Sequence, residues 1–262
     1  MIKAKKSLGQ NFLIDHNIIS KIVNIVDIKD KNILEIGPGT GNLTEEILKR
    51  KPQKIILIEK DSNLVDLLQN RFNGNVKIIN EDVLKINESL LDNQNLIVFG
   101  NLPYNISTEI LSKWILNLSQ KKIWFDCLVL MFQKEVADRI ISNFNTRDYG
   151  RLSILANWRL KIKKIFDIKP SSFQPKPKID SSVLYFEPKK NFLKFKNPKN
   201  LEKITRMFFM HRRKIIKKPY YHLFNNNENI ASQMGINLNL RPQNLDFDTY
   251  YELTKQYEYS RS

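Results

Sequence analysis

The chain has 262 residues, of which 42% are hydrophobic and 27% are charged, and it contains only 8 glycines and 10 prolines. This composition excludes disordered and collagen-like chains, and the length fits one large domain or one large and one small domain. The formal net charge of +16 favours a polyanionic partner such as nucleic acid, because cationic side chains release the counterions condensed on phosphates; a compositional bias towards Lys is the alternative.

Five short apolar runs in the first half of the chain predict buried strands at residues 32–36, 54–59, 76–79, 96–100 and 127–132. Between them, apolar residues recur at helical spacing, as in Leu64, Leu68 and Phe72. Alternating strand and helix signals predict an α/β fold with a parallel, doubly wound sheet. Ligands of such sheets bind at the carboxyl ends of the strands.

The pattern changes after Tyr149. Residues 161–166 and 181–186 predict two further strands, and the prolines between them indicate a loop. Residues 188–200 are rich in Lys, Asn and Pro, which favours an exposed linker, and helical patterns follow at 201–217, 228–234 and 247–257. We therefore expect two domains, an α/β domain over residues 1–187 and a small all-helical domain over residues 188–262.

The small domain is the more basic part of the chain. Seven Lys and Arg residues and no acidic residue lie between Lys203 and Lys218. A solvated Lys-rich helix is one interpretation, but the lack of any carboxylate favours a phosphate-binding face. The residues predicted to bind RNA are Arg206, Arg212, Arg213, Lys214 and Lys217.

A glycine-rich loop, LEIGPGTG, follows the first predicted strand. Its spacing is G-x-G-x-G, whereas a dinucleotide fingerprint requires G-x-G-x-x-G. Glu35 precedes the loop, where it would repel a pyrophosphate but could pair with a cationic amino-acid group. Glu59 ends the second strand, where it could bind ribose hydroxyls, and Asp82 follows the third, where it could accept from an adenine amine. Together these acids favour S-adenosylmethionine, a nucleoside that carries a positive sulfonium. Asp61, two residues after Glu59, is instead interpreted as a solvated loop carboxylate.

The tetrapeptide NLPY follows the fourth predicted strand and therefore lies on the same sheet edge. The nitrogen of an adenine amine is a weak nucleophile because its lone pair is delocalised into the ring. The side-chain oxygen of Asn101 and the carbonyl of Leu102 could accept the two amine hydrogens, and Pro103 would stiffen the loop. Tyr104 offers a ring on which an extruded base can stack. A buried turn is the alternative interpretation of this motif.

Six motifs in order resemble one family: SLGQNFL from Ser7, LEIGPGTGNLT, GNLPYNIST, QKEVADR, YGRLS and SSFQPKPKIDSSV. The chain resembles the KsgA-type (RsmA) small-subunit 16S rRNA adenine N6,N6-dimethyltransferases from about Lys6 to Asp180 and again at residues 211–214. The resemblance implies a Rossmann-like methyltransferase sheet with a small helical C-terminal domain. It also implies that S-adenosylmethionine is converted to S-adenosylhomocysteine while two adjacent adenosines near the 3′ end of 16S rRNA become N6,N6-dimethyladenosine, in the 30S subunit or its precursor.

The resemblance also assigns residues. Gln10, Asn11 and Leu13 would close over the donor, and Phe173 would stack on the target base opposite Tyr104. The predicted catalytic residues are Asn101, Leu102, Pro103, Tyr104 and Phe173. The predicted cofactor-binding residues are Gln10, Asn11, Leu13, Glu35, Gly37, Gly39, Glu59, Lys60, Asp82, Val83 and Asn101.

Three other functions remain as alternatives. An erythromycin-resistance methyltransferase acting on 23S rRNA shares the glycine loop and an NLPY-like motif, but QKEVADR and YGRLS argue against it. A nonenzymatic RNA-binding or assembly factor is disfavoured by the acids and Asn101, and an NAD-dependent oxidoreductase by the glycine spacing. The single Cys127 excludes an intramolecular disulfide, and no apolar stretch reaches the roughly 20 residues of a membrane span. We expect a cytoplasmic, soluble, unprocessed monomer without a metal or a membrane partner.

Overall fold

The computed structural model describes Ala4, Lys5 and residues 8–87, 91, 95–118 and 123–261. Lys6 and Ser7, where the family resemblance begins, lie outside the described residues, as does Ser262 at the end of the predicted helical domain. No helix in the described part of the chain is long and apolar enough to cross a membrane.

Strands and helices alternate through the first half of the chain. The strands are β1 (Phe12–Leu13), β2 (Asn32–Ile36), β3 (Lys54–Glu59), β4 (Lys77–Asn80), β5 (Leu96–Asn101), β6 (Phe125–Gln133), β7 (Leu160–Ile168), β8 (Phe173–Gln174) and β9 (Ser181–Pro188). The helices are α1 (His16–Val23), α2 (Asn42–Lys49), α3 (Ser62–Phe72), α4 (Ser107–Leu118), α5 (Lys134–Ile141), α6 (Arg151–Arg159), α7 (Lys199–Phe209), α8 (Lys217–Phe224), α9 (Asn229–Gln233) and α10 (Phe247–Tyr259). All seven predicted strands are present, with ends that move by a few residues.

Seven strands form one sheet in the order β4-β3-β2-β5-β6-β9-β7. The pairs from β4 to β6 are parallel, which confirms the predicted parallel sheet for these five strands. β9 differs, because it runs antiparallel to β6 and begins at Ser181, opposite Gln133 at the end of β6. The chain thus re-enters the sheet at the carboxyl edge and must run back along β6. β1 and β8 form a separate two-stranded antiparallel sheet.

One face of the large sheet carries the main core. Alternate residues of successive strands, such as Ile33, Leu57 and Phe99, are buried there. Leu68 and Phe72 on α3 belong to the same cluster. The intervening residues, such as Leu34 and Val98, are also buried, as expected for a parallel sheet that is covered on both faces. This burial explains why the strands are continuous apolar runs in the sequence, and it leaves polar side chains to the strand ends.

Contacts within the chain define two compact units. The second contains residues 138–161 and 189–261, with 114–118, and its core includes the ring of Tyr149 packed edge-on against Phe209 and Phe247. The predicted helix over residues 201–217 is wrong in one respect: α7 ends at Phe209, and a non-helical turn precedes α8. The Ile216 amide in this turn donates to the Leu240 carbonyl, a contact with a distant segment. The predicted domain boundary after residue 187 stays a prediction.

Candidate active site

One cavity lies at the carboxyl ends of the parallel strands. Every residue that the sequence predicted to bind the cofactor lines it. Leu102, Pro103 and Tyr104 line it too. The structure therefore brings the residues predicted to bind the methyl donor next to those predicted to act on the target base. The roles of these side chains stay predictions, but their convergence follows from the parallel sheet, which places the ends of β2, β3 and β5 on a single edge.

The glycine loop needs its glycines for two local reasons. Gly39 has φ +59°, and a Cβ at this position would lie 2.7 Å from the Phe12 ring. Gly41 has φ +83°, and a Cβ there would lie 2.6 Å from the ring of Phe72. A left-handed backbone without side chains therefore lets the loop pack closely against the ring of Phe12 on one side and against α3 on the other. Gly41 also begins α2 as its N-cap.

The two glutamates of the cavity are buried. Glu35 is 1% exposed and accepts a hydrogen bond from the Thr44 hydroxyl at 2.7 Å. Burial raises the pKa of Glu35 to about 8, against an ordinary value of 4.5. Burial also raises the pKa of Glu59, although the amides of Asp61 and Gly39 offset part of this effect by donating to its carboxylate. A cation placed beside these carboxyl groups would favour their ionised form and offset the effect of burial, so the pocket suits a cationic ligand.

Asp82 lies in a more polar environment. Its carboxylate forms an ion pair with Lys60 at 2.8 Å and accepts from the Leu84 amide at 2.9 Å. Burial acts to raise the pKa of Asp82, but these hydrogen bonds outweigh it, so the pKa is lowered. Asp82 is therefore ionised at neutral pH and can act only as a hydrogen-bond acceptor.

The NLPY motif begins on the last residue of β5. The side-chain nitrogen of Asn101 donates to the Asn11 carbonyl at 2.7 Å, and no residue in the described ranges donates to its side-chain oxygen. The Tyr104 hydroxyl lies 2.5 Å from the Ser181 hydroxyl, which fixes the ring from its far end. The motif is therefore anchored at both ends, with one amide oxygen left for a ligand.

Phe173 is buried in this structure. Its side chain is 0% exposed, belongs to the main hydrophobic core, and does not line the cavity. Phe173 pairs with Leu13 in the β1–β8 ladder, which turns the ring inward. Stacking on a base would require one face of this ring to become accessible, so the catalytic role of Phe173 stays a prediction.

Asp61, beside the cavity, differs from its prediction. The sequence predicts a solvated loop carboxylate, but Asp61 is 4% exposed. It caps α3 by accepting from the Asn63 amide, and it also binds Lys5 and Gln10. The cap has a sequence signal, because Asp directly precedes a helical pattern. The contact with Lys5 has none, since the two residues are 56 positions apart.

The predicted RNA-binding residues fall into two groups. The side chains of Arg206, Arg213, Lys214 and Lys217 are exposed. Arg212 is half-buried, and its guanidinium donates to the Gln243 side chain and to the carbonyls of Thr146 and Arg147. Arg212 thus holds together the turn that presents its neighbours. None of Arg212, Arg213 and Lys214 lies on a helix, contrary to the prediction.

This fold and this cavity define a class of protein. A parallel sheet with a G-x-G-x-G loop, acids at successive strand ends and an NLPY motif beside them is a Rossmann-like arrangement for methyl transfer to an amine. The family model described as "Ribosomal RNA adenine dimethylase" matches residues 1–258. The chain belongs to this family and is an rRNA methyltransferase, which confirms the resemblance drawn from the motifs.

Similar proteins agree with this membership. The chain is 63% identical over 257 residues to "Ribosomal RNA small subunit methyltransferase A" of Pelagibacter ubique (strain HTCC1062), covering 98% of both chains. The crystal structure of a dimethyladenosine transferase from Plasmodium falciparum matches with a TM-score of 0.78 and 26% identity, over 95% of this chain and 98% of that one. The 23S rRNA methyltransferase ErmE matches with a TM-score of 0.68 over 95% and 100%, but its 21% identity shows the fold alone.

Proposed function

We propose that this protein transfers methyl groups from S-adenosylmethionine to the N6 amines of two adjacent adenosines near the 3′ end of 16S rRNA, in the 30S subunit or its precursor. The observation that carries the proposal is the side-chain oxygen of Asn101, which accepts from no residue in the described part of the chain and lies beside the glycine loop in a cavity with buried carboxylates. The name of the Pelagibacter relative, a small-subunit methyltransferase, supports 16S rRNA as the substrate.

The cavity fits the donor by its chemistry. Buried Glu35 would pair with the cationic amino group, Glu59 would bind the ribose hydroxyls, and Asp82 would accept from the adenine amine. Gly37, Gly39, Lys60 and Val83 would form the walls, with Gln10, Asn11 and Leu13 above. A Cβ at Gly39 would lie 2.7 Å from the Phe12 ring, so the lack of a side chain there lets Phe12 pack against the glycine loop at the edge of the cavity. S-adenosylmethionine, when bound, supplies an electrophilic methyl group.

The residues of the NLPY motif would activate the acceptor. The Asn101 side-chain oxygen and the Leu102 carbonyl would accept hydrogen bonds from the two hydrogens of the target amine, which makes the nitrogen pyramidal and localises its lone pair towards the methyl group. After transfer the nitrogen would lose one of these hydrogens to solvent as a proton. The Tyr104 ring supports the extruded base by stacking. These interactions favour the transition state more than the planar ground state, so they would raise the rate of transfer.

The basic residues of the second unit would bind the RNA backbone. Arg206, Arg213, Lys214 and Lys217 are exposed and can contact phosphates, whereas Arg212 would position the turn. The cytoplasmic location and the monomeric state stay predictions.

The test is methylation of purified particles with labelled S-adenosylmethionine. We expect label in 16S rRNA of under-methylated 30S particles, recovered as N6,N6-dimethyladenosine, and none in fully methylated 30S particles, which serve as the matched control. Label in 23S rRNA would instead favour the erythromycin-resistance type of activity. No transfer to any particle would contradict the proposal.

A further inference from the structure

The N-terminal segment, defined here as residues 8–13, spans the cavity from the donor side to the acceptor side. All six of its residues line the cavity. Its far end is anchored to the loop region, because the side chain of Asn42 donates to the Leu13 carbonyl at 2.8 Å and β1 pairs with β8. Nearer its start, the side chain of Gln10 donates to a buried carboxylate.

That carboxylate is Asp61, which directly follows the proposed donor-binding residues Glu59 and Lys60. It accepts from the Lys5 ammonium at 2.6 Å and from the Gln10 side chain at 2.9 Å. The Lys5 amide in turn donates to the Gln10 side-chain oxygen at 2.7 Å, so the three residues form a closed set of hydrogen bonds. Burial acts to raise the pKa of Asp61, but the bonds from Lys5 and Gln10 outweigh it and the pKa is lowered.

The next residue along the segment determines how Asn101 is oriented. A primary amide has a donor end and an acceptor end, and rotation by half a turn exchanges them. The Asn11 carbonyl can only accept, so it selects the nitrogen of Asn101 and turns the oxygen away from the segment. The position of this carbonyl follows that of Gln10, to which it is covalently linked.

We infer that Asp61 is a positioning residue for methyl transfer, which holds the N-terminal segment through Lys5 and Gln10 and thereby keeps the Asn101 oxygen directed at the target amine. This inference rests on the proposed function of Asn101. Asp61 does not line the cavity, yet it would help to set the geometry around the target amine. It would also couple closure of the N-terminal segment over the donor to activation of the target base.

The experiment uses Asp61→Asn and Lys5→Gln in the full-length protein, with Asp66→Asn as the control. Asn is also a good N-cap, so Asp61→Asn keeps the cap of α3 while removing the ionic partner of Lys5. Lys5→Gln removes the same ion pair without any change in α3 or its cap. Asp66 lies on the same helix but is exposed. We expect both test variants to lower kcat for methylation of 30S particles by roughly tenfold or more, because loss of orientation acts on the chemical step. Asp66→Asn should match the wild type.

A background that lacks the Asn101 amide distinguishes positioning from a general structural effect. If Asp61 acts through Asn101, Asp61→Asn should have almost no further effect on kcat in the Asn101→Ala protein. An equal reduction of kcat in both backgrounds would overturn the inference, and so would wild-type kcat in Asp61→Asn and Lys5→Gln.

A second readout does not depend on activity. Amide hydrogen exchange of residues 8–13 should be faster in Asp61→Asn than in Asp66→Asn, and unchanged exchange would overturn the inference. Failure of the proposed function would have a different signature, because the wild-type protein itself would then leave 16S rRNA unlabelled.

Discussion

Donor binding should depend steeply on pH through Glu35. This side chain lies in the cavity at 1% exposure, and burial raises its pKa to about 8. Only the ionised form can pair with a cationic amino group. With a pKa of about 8, roughly one molecule in ten has ionised Glu35 at pH 7 and roughly one in a hundred at pH 6. The apparent affinity is the intrinsic affinity multiplied by this fraction.

We therefore expect the affinity for S-adenosylmethionine to rise about tenfold between pH 6 and pH 7, and to level off above pH 8. Ionisation of Glu35 at pH 7 costs about 1.4 kcal/mol, which the ion pair with the donor must offset. Glu35→Gln keeps an acceptor for the Thr44 hydroxyl but cannot titrate. Its affinity should be lower at high pH and nearly flat below pH 7, where the donor amine stays protonated.

Isothermal titration calorimetry at several pH values, in buffers of different ionisation enthalpy, measures both the affinity and the number of protons released. At pH 7 the wild type should release close to one proton more per bound donor molecule than Glu35→Gln releases. Equal proton release and equal pH slopes in the two proteins would refute the reasoning, because any titration would then belong to the donor or to Glu59.

The same group links pH to folding. The pKa of Glu35 is raised on folding from an ordinary value of 4.5 to about 8, so the folded donor-free protein binds more protons than the unfolded chain between these values. Glu35 therefore destabilises the donor-free protein increasingly as pH rises through this window. Relative to the wild type, Glu35→Gln should become more stable from pH 5 to pH 8 in urea unfolding. A constant difference would contradict this sign.

Three further outcomes are expected. Asn101→Ala should leave donor binding largely intact by calorimetry while lowering kcat by about a hundredfold or more, as does loss of a charge-stabilising donor elsewhere; equal loss of both would argue against its role at the amine. Gly39→Ala should destabilise the protein in urea unfolding by about 1–3 kcal/mol more than Gly74→Ala, since both are left-handed but only Gly39 faces a ring. Equal losses would show that the ring moves aside. Neutralising Arg213 and Lys214 together should lower the salt slope of RNA binding by about 1–2, measured by filter binding; an unchanged slope would make them a solvated surface.

The strands of the large sheet and the place of the cavity could be predicted, because they follow from local apolar patterns and from the general properties of parallel sheets. Apolar runs predict seven strands, and all seven are present. The rule that ligands bind at the carboxyl edge predicts that Glu59, Asp82 and Asn101 lie together, and all three line one cavity. The two-residue strands β1 and β8 were missed, since two residues have no periodicity to detect.

The unexpected environments share a physical cause. Phe173 and Asp61 occur in polar, proline-rich or loop-like surroundings, yet both are buried, Phe173 in a strand pair with Leu13 and Asp61 against Lys5 and Gln10. Arg212 has the same local context as Arg213, and only the carbonyls of a distant loop distinguish them. A single sequence carries no sign of which distant segment will cover a given residue.

The amino-acid sequence by itself therefore determined the order of the longer strands, the position of the glycine loop and the chemical types gathered at one sheet edge. Each of these follows from interactions within a few residues or from a general rule of sheet topology. Only the tertiary structure decided which atoms of those residues are free. The amide orientation of Asn101 depends on Asn11, 90 positions away, and the ionisation of Glu35 depends on the packing that excludes water from it. Hydrogen bonds and desolvation act over a few ångströms in space, whatever the separation along the chain.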